Sequence, residues 1–269
     1  MAFLRVVSFL SAGILLSACG EQAATDPDTS ADKAAKPACT LIMGWDPWEP
    51  YQFANVDGNV NGLDVELVKI IVENAGCTLE FNQDNWSSLL AKIQNGEIHL
   101  LAGATQTESR DEFAWFMDPY REESFVLYVR ADEKNDYPEE NLQALLERGG
   151  QIGVTQDYIY GDEVSALQDS PDFAEQFIGV PISELNYSKL ADLEIDGFLE
   201  DPFVAVAILR RKGLGKQIVA HDIEIHTGMV HLMLSKASVN ETMFGHLNNS
   251  LAEMKESGKL DEILEKYRN

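Results

Sequence analysis

Two groups of opposite charge could grip a small charged molecule. Arg110 closes the run Gly103-Ala-Thr105-Gln-Thr-Glu-Ser-Arg110, and Asp201 lies between a strand-like stretch, 195–199, and a helix that opens at Pro202. A guanidinium presents a planar fork of donors matched to a carboxylate, and such charge-assisted pairs are about twice as strong as neutral hydrogen bonds. The competing reading pairs Arg110 on the surface with Glu108 or Asp111. Asp201 falls at the carboxyl end of its strand, where open α/β sheets bind ligands. It is equally well placed as the N-cap of a helix with proline at its first position. Trp48, Tyr51 and Trp86 offer large faces that bury apolar area and attract cations, or that serve as ordinary core.

These residues need elements to hold them. Val65, Val68, Ile71, Val72 and Ala75 recur at helical spacing and stop at Gly76, and Leu89, Leu90 and Ile93 repeat the pattern before Gly96. Strand-like stretches at 40–45, 78–82, 98–102 and 125–129 alternate with these helices and with a short helical stretch at 108–116. The polar run 131–138 breaks the series, and a second one follows: helix 139–148, strand 152–155, helices 162–167 and 185–191, strand 195–199, helix 202–212 and strand 217–220. An apolar run at 229–234 and two helices, 240–255 and 259–267, end the chain. Alternation of this kind implies a parallel sheet with helices on its faces, an α/β fold.

The chain has 269 residues with 45 Asp+Glu against 20 Lys+Arg, a formal net charge of −25. That balance argues against nucleic acid as a partner, because affinity for a polyanion comes from lysine and arginine neutralising phosphates. Arg5 precedes an apolar run from Val6 to Leu16 that is too short to span a bilayer, which takes about 20 residues. This start, ending in Leu16-Ser-Ala-Cys19, reads as a secretory signal over 1–18. It resembles a bacterial lipoprotein processing box, with Cys19 as the lipid-bearing residue. Residues 19–38 have almost nothing to bury and read as a flexible tether. With Cys19 lipidated, Cys39 and Cys77 remain as a pair in an oxidising compartment. Each precedes a strand, and parallel neighbours that start at one sheet edge would bring them within bridging reach. The five histidines lie far from both cysteines, so no metal spacing is present and no cofactor is expected.

Gly44-Trp-Asp-Pro-Trp-Glu-Pro-Tyr-Gln-Phe53, Asp57-Gly58, Gly62-Leu-Asp64-Val-Glu-Leu67, Trp86-Ser-Ser-Leu-Leu, Gly103 to Arg110 and Met117-Asp-Pro-Tyr120 together resemble the family-3 extracellular solute-binding proteins. The likeness covers nearly all of the chain after Cys39. It implies a two-lobe clamp of the type II periplasmic-binding-protein class, each lobe a mixed, mostly parallel sheet with flanking helices. Residues 39–127 and 226–269 would form one lobe and 128–225 the other, with crossings near 125–130 and 222–227.

What the resemblance implies for the site is specific. Arg110, with Thr105, would take the carboxylate of an amino acid or similar small zwitterion. The Gly103 carbonyl and Asp201 would take its ammonium. Trp48, Tyr51 and Trp86 would wall the side chain, and Asp46 with Glu49 would lean the pocket towards neutral or cationic side chains. The chain departs from the family pattern at Asp157-Tyr158, where Gly-Thr or Gly-Ser is common; the backbone N–H of Tyr158 is the remaining candidate there. His99 is expected to be structural. The resemblance further implies a monomeric, lipid-anchored periplasmic receptor that delivers to an inner-membrane ABC permease, not an enzyme. Two other readings are a cyclohexadienyl-dehydratase-like enzyme using an acid such as Glu200 or Glu163, and a ligand-sensing module for a separate receptor.

Overall fold

The structure, a computed structural model, describes residues 39–268. The expected signal, the lipid-bearing Cys19 and the tether lie outside the described residues. In chain order the elements are β1 (Cys39–Trp45), β2 (Phe53–Ala54), β3 (Val60–Asn61), α1 (Leu63–Asn74), β4 (Cys77–Gln83), α2 (Trp86–Asn95), β5 (Leu100–Ala104), α3 (Glu108–Asp111), β6 (Ala114–Phe116) and β7 (Arg121–Arg130). The second series is α4 (Leu142–Glu147), β8 (Ile152–Thr155), α5 (Asp162–Asp169), β9 (Phe177–Val180), α6 (Glu184–Ala191), β10 (Gly197–Glu200) and α7 (Pro202–Lys212). It ends with β11 (Ile218–Ser235), α8 (Glu241–Glu256) and α9 (Lys259–Arg268).

The strands run in the order β4-β1-β5-β11-β7-β10-β8-β9, with β6 added to β11. One group, β4, β1 and β5, is parallel; the other, β9, β8 and β10, is parallel too. Between them stand β7 and β11, which pair antiparallel with each other and with the neighbouring group on either side. The expected α/β fold with mixed, mostly parallel sheets is therefore present. The segments where crossings are expected, 125–130 and 222–227, lie within β7 and β11, and β11 is one element of 18 residues. Its pairing with β7 shifts register between Ala220 and Glu224 and again between His226 and Gly228. Reading 217–220 and 229–234 as separate segments missed this, because the intervening run sets exposed Asp222 and Glu224 between the buried His221, Ile223 and Ile225, so no continuous apolar stretch marks the strand.

Local chemistry explains the elements that frame the cleft. The apolar stripe of α1 is buried through Val65, Val68, Ile71 and Val72 in the same core as Leu41 and Met43 of β1 and Leu251 of α8. Removal of such side chains from water stabilises by about 1.5–3 kcal/mol each. The helix starts at Gly62, whose φ is +129° and where a Cβ would lie 2.1 Å from the Tyr51 carbonyl oxygen. Only glycine permits that approach, and it lets the N–H groups of Leu63 and Asp64 donate to the carbonyls of Pro50 and Tyr51 at 3.0 and 3.1 Å. The first turn of α1 thereby fixes the aromatic segment 48–51. At α2 the Asn85 side chain accepts from the Ser88 N–H, and Gly96 closes the helix in the left-handed conformation. Cys39 and Cys77 face each other in register at the start of β1 and β4 and are joined as a disulfide, with Cα atoms 4.7 Å apart.

The stretch 108–116 is helical only over its first turn and ends in the short strand β6, since Ala114-Trp-Phe116 finds an open edge on β11. The expected strand 98–102 begins at Leu100, and His99 instead accepts the Ile42 N–H through Nδ1 at 3.1 Å. That contact gives His99 the structural role expected of it.

Candidate functional site

A cleft opens where the carboxyl ends of β1 and β5, the amino ends of α2 and α3, and the start of β7 meet the loop after β8. Its inner cavity is lined by Asp46, Trp48, Gln52, Trp86, Gly103, Thr105, Arg110, Glu123, Phe125 and Tyr158, with Ala102 and Ile159. Most of the expected site residues therefore share one cavity. Arg110 is buried on α3, which Thr107 caps by accepting the Arg110 N–H at 3.3 Å. Its Nη1 donates to the Thr105 carbonyl at 2.9 Å and its Nη2 to the Asp157 carbonyl at 2.8 Å, with Trp86 5.7 Å away in cation–π contact. The surface ion pair with Glu108 or Asp111 is not formed; Asp111 accepts from Gln106 instead.

Asp157 takes φ +61°, a left-handed conformation that suits glycine and that aspartate tolerates better than most residues. This turns its carbonyl towards both Arg110 and the Trp86 Nε1, which donates to it at 3.2 Å. The Tyr158 N–H is engaged with the Thr155 carbonyl at 3.3 Å, so the backbone role expected of it is taken. The Tyr158 side chain enters the cavity instead. Its ring stands edge-on to Trp48 and to Trp86, each at 6.0 Å between centroids, and its hydroxyl donates to Asp46 Oδ2 at 3.2 Å. Burial pushes the Asp46 carboxyl up to about 6, with the Tyr158 hydroxyl working against that rise.

Tyr51 and Asp201 lie elsewhere. Both line a second, larger cavity together with Leu63, Arg121, Phe203, Met229 and Tyr267, and neither lines the Arg110 cavity. Asp201 is the N-cap of α7: its Oδ1 accepts the N–H groups of Phe203 and Val204 at 2.8 and 3.1 Å, and its Oδ2 accepts the Tyr51 hydroxyl at 3.0 Å. The Arg121 guanidinium lies 3.9 Å from the Tyr51 ring centroid, on the same side of the cleft floor. Arg110 and Asp201 line different cavities, and Glu123 lines both.

Sequence reasoning missed the polar floor. Arg121, Asp64 and Glu123 are all buried, with Arg121 Nε 3.7 Å from Asp64 and Nη1 3.8 Å from Glu123, while Tyr120 donates to Asp64 at 2.7 Å. Glu123 is the one of these that reaches the Arg110 cavity. Burial, with Asp201 and Asp64 adding to it against the pull of Arg121, raises its carboxyl to about 7. Glu200 is buried behind Trp48, which donates to it at 3.4 Å, and burial raises it to about 8. Glu163 is exposed on α5. Neither acid considered for elimination chemistry lines the Arg110 cavity.

The family model for bacterial extracellular solute-binding proteins, family 3, matches residues 41–269. The chain belongs to this family. Among curated relatives, a probable histidine-binding protein of Neisseria gonorrhoeae is 26% identical over 260 residues, covering 94% of this chain and 91% of the relative. Two solved structures share the fold of this solute-binding protein. An ancestral arginine-binding protein bound to glutamine gives a TM-score of 0.72 at 23% identity, over 85% of this chain and 97% of the other. A histidine kinase sensor domain with similarity to periplasmic binding proteins gives 0.74 at 19% identity, over 86% and 96%. The type II periplasmic-binding-protein architecture expected from the sequence is the architecture of the molecule.

Proposed function

We propose that this solute-binding protein captures an amino acid with a neutral or cationic side chain and delivers it to an inner-membrane ABC permease. Residues 39–127 with 226–269 would act as one lobe and 128–225 as the other, a monomer held at the periplasmic face of a membrane through lipid on Cys19. The observation that carries the reading is the buried Arg110 guanidinium on the wall of a cavity otherwise lined by Trp48, Trp86, Tyr158 and two acids. Arg110 and Thr105 receive the carboxylate, Gly103 offers its carbonyl to the ammonium, and the aromatic faces with Asp46 receive the side chain. A carboxylate entering this site replaces the Asp157 carbonyl as the acceptor for Arg110 and turns a neutral hydrogen bond into a charge-assisted one. Binding then favours the closed arrangement because the ligand has more to contact there.

The name of the Neisseria relative, a probable histidine-binding protein, supports an amino-acid ligand. A thermal-shift screen of the twenty amino acids and small polyamines tests the reading, since a ligand that binds the native state raises the melting temperature by mass action. A rise with at least one neutral or basic amino acid is expected. No rise with any amino acid would overturn it.

A further inference from the structure

Trp48, Trp86 and Asp46 are the groups expected to meet the side chain of a ligand, and one side chain of the protein already touches all three. The Tyr158 ring stands edge-on to both tryptophans, 6.0 Å from each between centroids, and its hydroxyl donates to Asp46 Oδ2 at 3.2 Å. The tryptophans have other partners too. Trp48 packs on Tyr51 at 4.8 Å between centroids, and the Arg110 guanidinium lies 5.7 Å from the Trp86 ring. A long side chain entering against this wall must push the tyrosine aside.

Tyr158 has little freedom to give way. It follows the left-handed Asp157, whose carbonyl accepts from Arg110 Nη2 and Trp86 Nε1 at 2.8 and 3.2 Å and whose carboxylate accepts the Ser87 hydroxyl. Its own N–H donates to the Thr155 carbonyl at 3.3 Å. Its ring also packs on Tyr160, at 6.2 Å between centroids. Tyr160 is itself buried, lies 4.6 Å from the Phe125 ring, and accepts the Thr155 N–H through its hydroxyl at 2.7 Å. A ligand carboxylate that takes over Arg110 Nη2 removes one tie of this loop and leaves those to Trp86, Ser87 and Asp46 in place.

Displacing the ring would also deprive the buried Asp46 of its hydroxyl donor, and a buried acceptor left without a donor weakens the bound state by about tenfold or more. A cationic side chain can replace that donor only after the ring has left the wall. Interior packing leaves no room for both.

We propose that Tyr158 is a specificity-determining residue that closes the side-chain end of the cavity, so that the ligand is an amino acid with a small neutral side chain, the size of glycine, alanine or serine. This rests on the amino-acid reading above and narrows its side chain from neutral or cationic to small and neutral.

The test is calorimetry of glycine, L-alanine and L-serine against L-glutamine, L-histidine, L-lysine and L-arginine. It is run on the wild-type protein, Tyr158→Ser and Tyr158→Phe, with thermal unfolding of each variant confirming that it is folded. The wild-type protein is expected to bind at least one of the three small amino acids about tenfold or more tighter than any of the four large ones, the scale on which a filled pocket discriminates. Tyr158→Ser removes the ring and should shrink that preference by about tenfold or more. Tyr158→Phe keeps the ring and should keep the preference for small side chains over glutamine. A wild-type protein that binds any large amino acid as tightly as the small ones would overturn the assignment, whatever the variants do. So would an undiminished preference in folded Tyr158→Ser, or a loss in Tyr158→Phe equal to that in Tyr158→Ser. If no amino acid binds the wild-type protein at all, the proposed function itself fails and this assignment with it.

Discussion

The Arg110 guanidinium donates through Nη2 to the backbone carbonyl of Asp157 at 2.8 Å, tying α3 to the loop after β8 across the cleft. The same loop adds the Ser87 hydroxyl bond to the Asp157 carboxylate and the Tyr158 bond to Asp46. Arg110 is therefore both a wall of the cavity and a strap over it, and these two duties can be separated by experiment.

Arg110→Ala is expected to weaken amino-acid binding by about 2–5 kcal/mol, the penalty for removing one partner of a buried pair. Arg110→Lys should recover only part of this, because an ammonium lacks the two-pronged geometry. Calorimetry showing wild-type affinity in the alanine variant would reject the carboxylate role.

Tyr51→Phe removes the hydroxyl that Asp201 Oδ2 accepts while leaving the ring under Arg121. A buried acceptor left without its donor costs about 1–3 kcal/mol, so the urea midpoint should fall. An unchanged midpoint would mean that the contact contributes nothing to the folded state.

Burial raises Asp46, Glu123 and Glu200 to about 6, 7 and 8, above the ordinary carboxylate range they have in the unfolded chain. Their contribution to stability is thus fully present at about pH 4 and is lost as pH rises through 6 to 8. The ligand-free protein should unfold at lower urea concentration at pH 8.5 than at pH 5.5, also in high salt, which screens the exposed acidic surface. Glu200→Gln should flatten the alkaline part of that slope. A ligand ammonium favours the ionised acids, so affinity should move the opposite way and increase with pH. Stability that rises from pH 5.5 to 8.5 would contradict the burial argument.

The Cys39–Cys77 bridge closes a separation of 38 residues. On the chain-entropy account such a closure is worth up to about 4 kcal/mol. The Cys39→Ala, Cys77→Ala double variant should therefore unfold at clearly lower urea, with ligand affinity little changed because neither residue lines the cavity.

Much of this was legible because the informative residues obey local rules. Asp201 before Pro202 signals a cap, and it is one; the two cysteines before parallel strands signal a bridge, and it is formed. Asp157 standing where glycine is common carries a backbone conformation that glycine would adopt readily. What stayed hidden depends on tertiary context. In Arg121-Glu-Glu-Ser124 the strand alternates, burying Arg121 and Glu123 and exposing Glu122, but all four side chains are polar, so no hydrophobic rhythm marks the inward face. Phe177–Val180 is four residues long and becomes a strand only because β8 offers it an edge. Tyr51 was expected beside Trp48 in the site; the close approach of Gly62 to its carbonyl fixes its backbone, and its ring lies 4.8 Å from that of Trp48 while lining the second cavity.

The length of β11 bears on how the molecule comes apart. Ile218–Ser235 belongs to the ladder of β5 and to that of β7 alike, so neither can fray deeply without loosening a strand the other needs. Amide hydrogen exchange from the most protected positions of β1 and of β10 should accordingly report one shared opening free energy. The two ends of the protein would then melt as a single cooperative body.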